Sequence, residues 1–312
     1  MAESGTPPPA PAQAGTGNDR TASVVRIALD HRTCYEYDRP VHLAPHRIRL
    51  HPAASAPARI RSYALHITPE PHSLHWQEDA WRNRVARAVF YEPTRELTLA
   101  MTLEADLPAL NPFDFLVEDD VRHVPFRYRH EDRRALAACL EIEPSGPRFG
   151  EWTQRLRQKL QHDGTSTVEF LVAVNEAVAE DTRYVMRFEP GIQSCERTVE
   201  LGSGSCRDSG WLLAQTLRRF GIATRFVSGY LVQLRREGHD EGDSVALHAW
   251  CDAFVPGAGW IGLDATSGLL AAQYHIPLAV AATPGPTSPV QGCADASESR
   301  LSYEMHVRRR PS

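Results

Sequence analysis

Three side chains stand in an order that suits acyl transfer: Cys206, His248 and Asp264. The histidine follows the cysteine by 42 residues, and the aspartate follows the histidine by 16. Attack on a carbonyl carbon needs a nucleophile, a base within hydrogen-bond reach of it, and a third group that orients the base. In that scheme Cys206 attacks, His248 takes or holds its proton, and Asp264 fixes the imidazole tautomer. Singly, each has an ordinary explanation. A cysteine after glycines is commonly a small hydrophobe. A histidine beside a tryptophan is commonly a packed core residue, and an aspartate at a strand end a turn former. Order and surroundings together carry the catalytic reading.

Those surroundings begin at Gly202-Ser203-Gly204-Ser205-Cys206-Arg207-Asp208, a glycine-rich loop that delivers Cys206 to the first turn of a helix. Ser205 is placed as N-cap, with Asp208 three residues on as an acidic form of the capping box. Leu213, Leu217 and Phe220 recur at helical spacing, Arg218 and Arg219 fall in the last turn, and Gly221 is a stop signal. Unpaired N–H groups and the dipole at a helix start favour a thiolate and can stabilise an oxyanion. After Gly221 the period changes to two. Residues 222–234 read as a strand interrupted at Ser228-Gly229, 245–254 as a second strand and 260–264 as a third. On the second, His248, Trp250, Asp252 and Phe254 alternate with Leu247, Ala249, Cys251 and Ala253. A tight turn at 256–259 pairs the second strand with the third, which brings His248 toward Asp264. Residues 235–243 and 282–299 read as loops, and 301–307 as a closing strand.

Upstream, residues 1–22 (PPPAPAQAGTG within them) have the composition of a disordered tail. Residues 23–107 show short alternating apolar runs, such as Val25-Ile27-Leu29 and Leu97-Leu99-Met101-Leu103, separated by turn residues. About six strands at this spacing predict an antiparallel β-sandwich or barrel, read as an accessory domain. The proline-punctuated stretch 108–150 reads as a linker. Helices follow: Trp152, Leu156 and Leu160 share a face that ends before Gly164, and Ser166-Thr167-Val168-Glu169 is a capping box ahead of Leu171, Val172, Asn175 and Val178. The expected division is therefore a tail, a β-rich domain, a linker and a catalytic core over 151–310.

Composition narrows the class. A chain of 312 residues with 42% hydrophobic and 23% charged residues can fill a core. The net charge of −5 and the lack of a basic, aromatic-interleaved patch argue against nucleic acid. No apolar run is long enough to span a bilayer, and no secretory signal is visible. Six scattered cysteines without a CxxC pair read as reduced thiols of a cytoplasmic protein. Fourteen histidines include no HExxH, so no metal or other cofactor is expected, nor calcium, since no DxDxDG loop is present.

GSGSCRDSGWLLAQTLRRFGIATRFVSGYL followed by LHAWCDAFVPGAGWIGLDATSG resembles the core of the transglutaminase-like superfamily. Within it, the chain resembles the bacterial branch described provisionally as cysteine proteases. Family nucleophile, histidine and aspartate motifs (GxCxD, HAW and D-x-T) match Cys206, His248 and Asp264. YEYDRPV, RIRLHP and DAWRNRVARAVFYE resemble that branch's β-rich N-terminal domain, so the likeness covers nearly all of residues 24–310. It implies an α+β fold: an antiparallel N-terminal sandwich or barrel beside a papain-like core of helices packed on an antiparallel sheet. It also puts Tyr184 where relatives carry an aromatic that aids the oxyanion. Two departures stand out. Ala265 replaces a common proline after the aspartate, and residues 282–286 replace a Gly-Arg-Asp-Tyr type segment.

The expected function is a cysteine-dependent enzyme acting on amide bonds of a protein or peptide through a thioester, with water favoured as acceptor. An amine acyltransferase uses the same intermediate, and an inactive peptide-binding scaffold uses the same fold. Papain's histidine follows its cysteine by about 130–150 residues, unlike this chain's. A GxSxG elbow and a phosphate loop are both absent around Ser203 and Ser205. Oligomeric state is not legible.

Overall fold

The structure, a computed structural model, describes residues 24–187, 189–235 and 242–311. The expected tail and most of the expected 235–243 loop lie outside the described residues. The chain opens with six strands: β1 (Val25–Val41), β2 (His46–Ile48), β3 (Arg59–Thr68), β4 (His72–Glu78), β5 (Arg84–Phe90) and β6 (Thr94–Leu107). Helices α1 (His130–Ala135), α2 (Pro147–Leu160) and α3 (Thr167–Asp181) follow. Next come β7 (Arg183–Tyr184), α4 (Cys195–Leu201), β8 (Ser203–Gly204) and α5 (Cys206–Arg219). The remainder is β9 (Thr224–Gln233), β10 (Ser244–Val255), β11 (Gly259–Asp264), β12 (Leu269–Leu270), β13 (His275–Ala281), β14 (Val290–Gln291) and β15 (Ser299–Arg310).

Two four-stranded antiparallel sheets, in the orders β15-β1-β6-β3 and β14-β2-β5-β4, form the N-terminal sandwich. Period-two burial explains the packing. Leu97, Leu99, Met101, Leu103, Ala105 and Leu107 of β6 all enter one core, with Ile27 and Leu29 of β1 and Ala86 and Ala88 of β5. A five-stranded antiparallel sheet, β12-β11-β10-β9-β13, is the centre of the second half. Helices α2, α3 and α5 bury Trp152, Leu156, Phe170, Leu171, Trp211 and Leu213 with Ala249, Cys251 and Ala253 of β10. Tyr230, Val232, Ile276 and Leu278 of the same sheet join the sandwich core. The central sheet thus lies between helices and sandwich, an α+β architecture as expected.

Several elements depart from the sequence reading. The expected linker carries α1 and two 3-10 turns, and it packs on the helical core. Val121 and Val124 are buried there, and the Tyr128 hydroxyl donates to Phe254 O at 2.6 Å and accepts from Ala223 N at 2.9 Å. The closing strand, expected at 301–307 within the 151–310 core, is β15 and pairs with β1 in the sandwich. Ser166 caps α3 without the side-chain bond of a capping box. β9 runs unbroken through Ser228-Gly229. A Cβ on Gly229 would lie 2.3 Å from Ile276 O and 2.6 Å from the Trp250 ring, so strand neighbours, not a break, demand glycine. β13 lies in a stretch, 265–281, that the sequence reading left without an element.

Candidate active site

Cys206 is the first residue of α5, as its loop predicts. Asp208 holds that start in place. Its carboxylate accepts the Ser205 backbone N–H and hydroxyl, each at 2.8 Å. It also accepts Gln193 N–H at 2.6 Å and Arg187 Nε at 2.8 Å. Burial alone would raise the Asp208 carboxyl, but these donors hold it below its ordinary range. Arg207 Nη2 donates to the carbonyls of Arg187 and Glu189 at 3.1 and 3.3 Å, so the 185–193 segment is tied to the nucleophile helix twice.

The hairpin of β10 and β11 pairs Cys251 with Leu263 and Val255 with Gly259. It carries His248 to Asp264: Nε2 stands 3.1 Å from Oδ1, and both side chains are buried, 8% and 2% exposed. The approach is oblique, since Nε2 has no well-aligned hydrogen-bond partner; the contact is an ion pair first. Cys206 is close enough to the same ring to act on its charge. Burial disfavours the imidazolium, but Asp264 and Cys206 outweigh it and raise His248 to about 9. Burial would also raise Asp264, yet the two imidazoles around it and the Thr266 N–H hold it far below the usual carboxylate range. Cys206, His248 and Asp264, read from sequence as a set, are thus brought together from the helix start, β10 and the end of β11.

Tyr184 reaches the same place by backbone pairing. β7 runs parallel to β8, with Tyr184 opposite Gly204. Val185 N–H donates to Gly204 O at 2.9 Å. The phenol is half exposed, and partial burial with Cys206 and Tyr303 nearby raises its pKa.

His275 is the site residue the sequence reading missed. At the start of β13, its Nε2 lies 3.3 Å from Asp264 Oδ2. The only available signal was its place ahead of the apolar run 276–282, which Pro277 obscured. Trp250 stacks on His248 with centroids 6.3 Å apart and meets His275 edge-on at 5.2 Å. Its Nε1 donates to Asp252 Oδ1 at 3.1 Å, and Asp252 pairs with Arg225 at 2.9 Å. His248, Asp264 and His275 also offer three ligand-type atoms within 4.8 Å of one another.

Comparisons with known proteins agree with this architecture. An uncharacterized protein of Mycobacterium tuberculosis, Rv2569c, is 24% identical over 267 residues, covering 80% of this chain and 82% of its own. An uncharacterized Mycobacterium bovis protein, Mb2599c, matches to the same extent. A solved structure from Cytophaga hutchinsonii, described provisionally as a cysteine protease, superposes with a TM-score of 0.68 at 16% identity. It covers 93% of this chain and 92% of that one, which shows a shared fold. Residues 27–106 match the family model of the bacterial transglutaminase-like N-terminal region. Residues 153–265, which include Cys206, His248 and Asp264, match that of the transglutaminase-like superfamily, which supports a cysteine-dependent enzyme at the level of that superfamily.

Proposed function

We propose that the protein hydrolyses amide bonds of a peptide or protein substrate through a thioester formed on Cys206. The observation that carries this is the convergence of a sulfur, an imidazole and a carboxylate from α5, β10 and β11. The Cys206 thiolate attacks the carbonyl carbon, and the carbonyl oxygen takes the negative charge. Backbone N–H groups at the start of α5 and the Tyr184 hydroxyl are the donors proposed for that oxygen. Collapse forms the thioester, and the His248 imidazolium passes its proton to the departing amine. Water then attacks the thioester, His248 takes its proton, and the acid leaves as the thiolate returns. Asp264 stays ionised throughout and orients His248. Water is the favoured acceptor because it reaches any site that does not exclude it. A cytoplasmic setting fits the six unpaired thiols.

The test is a screen of peptides with and without added amines, reading ammonia release and new termini together. New amino termini without amine incorporation are the expected result. Incorporation of amine instead would move the assignment to acyl transfer. Cys206→Ala should abolish turnover with the far-UV circular dichroism unchanged. His248→Ala should lower it by about 10²–10⁴-fold. Iodoacetamide should label Cys206 ahead of the other five cysteines; equal labelling of all six points to an inactive peptide-binding scaffold.

A further inference from the structure

Asp264 is held by more than His248. Its Oδ1 accepts the Thr266 N–H at 2.9 Å, and Oδ2 faces His275 Nε2 at 3.3 Å. Both are aligned hydrogen bonds, whereas His248 approaches Oδ1 obliquely. What fixes the carboxylate is therefore Thr266 and His275. The other nitrogen of His275 decides its tautomer. Nδ1 accepts the Ala272 N–H at 3.3 Å, so in the neutral ring the proton sits on Nε2 and points at Asp264. A cation at Nε2 would shift that proton to Nδ1, against the Ala272 N–H, so the arrangement disfavours ligation there. The cluster of two imidazoles and one carboxylate is thus hydrogen-bonded rather than metal-ligating.

We propose that His275 is a positioning residue for the reaction. It donates from Nε2 to the far oxygen of Asp264, fixes the near oxygen toward His248, and draws charge away from it. This rests on the reading of Cys206, His248 and Asp264 as the reacting set. The consequence concerns how firmly His248 holds its proton. The charged and titratable groups that face it are Cys206 from α5, Asp264 from β11 and His275 from β13. The Asp252–Arg225 pair lies behind Trp250. The N–H dipole of His275 presents its positive end to the carboxylate that His248 faces. Removing it leaves the full carboxylate charge to His248, and the imidazolium then persists to higher pH.

The experiment needs no substrate: the rate of Cys206 alkylation by iodoacetamide is followed from pH 5 to 11. In the wild type an upper limb is expected near the value of about 9 that His248 takes. His275→Leu fills the space without a donor and should move that limb upward by about half a pH unit or more, with peptide turnover reduced about 10-fold or more. His275→Gln places an amide N–H near the original Nε2 and should bring the limb back. An unmoved or lowered limb in a folded His275→Leu overturns the proposal, as does failure of His275→Gln to restore it. If His275→Leu does not fold, nitrogen-15 spectra of the wild type decide at pH 8. A proton on Nε2 is expected, and a proton on Nδ1 refutes the assignment. His248→Ala separates this from the parent reading. If it leaves the wild-type profile unchanged, the reacting set is wrong; if it abolishes the limb while His275→Leu does nothing, only the role of His275 falls.

Discussion

Trp250 packs beside both imidazoles of the site, stacked on one and edge-on to the other, and its ring lies over Gly229. An alanine at 229 collides both with that ring and with the Ile276 carbonyl on the neighbouring strand. Backbone cannot yield cheaply there, so Gly229→Ala should cost about 1–3 kcal/mol in urea denaturation, the usual range for forcing extra volume into a packed core. The residue also shows where sequence reasoning stops. Glycine is unfavourable in strand interiors and reads locally as a break. Its necessity here arises from β10 and β13, brought against it only by folding. Cys206, His248 and Asp264 were legible because each sits beside a local signal: a glycine loop, alternation next to Trp250, and a strand end. His275 has no such marker, since its partner is reached only through the turn at 271–275.

Among the elements, the start of α5 shows the same contrast. The Ser205–Asp208 contact spans three residues and is visible in the sequence. The partners that complete it, Arg187 and Gln193, lie 21 and 15 residues upstream of Asp208 and are not. Asp208 is buried and serves four donor groups at once. Asp208→Asn keeps the size but loses the charge, and leaves at least one of those donors poorly matched. We expect a loss of about 1–3 kcal/mol, measured by thermal denaturation. Faster proteolytic cleavage within 185–193 should accompany it, because that segment is moored to α5 through this carboxylate. β13 escaped the sequence reading for a related reason. A short apolar run containing proline does not distinguish strand from loop, and Pro277 is accommodated at an edge of the central sheet.

Across the molecule, two buried histidines give stability opposite dependences on pH. His248 is raised from 6.5 to about 9. Its contribution is complete below the unfolded value of 6.5 and disappears as pH rises through 9. His31 lies in the contact between sandwich and central sheet, with Nδ1 2.7 Å from the Tyr230 hydroxyl and Nε2 2.8 Å from Thr33 Oγ1. Burial lowers it to about 4. Its contribution is complete above 6.5 and is lost as pH falls through 4. Each shift amounts to about 3 kcal/mol. Stability should therefore peak between about pH 6 and 7. In denaturation series against pH, His248→Ala should flatten the alkaline side and His31→Gln the acid side. The sandwich and the helix-bearing half were both readable from their periodicities. Their seam was not, because Tyr230 and His31 are 199 residues apart and meet only in the folded chain.

One pairing sets an order in time. β15 runs antiparallel to β1 over twelve residues, from Tyr37 opposite Ser299 to Arg26 opposite Arg310. Of the described strands, the first to leave the ribosome thus meets its outer neighbour only after every other strand has been made. Until then β1 keeps a bare row of N–H and C=O groups, which would template pairing with another chain. Translation arrested before codon 299 should accordingly yield a product that self-associates, even though all the residues assigned to chemistry are already present in it.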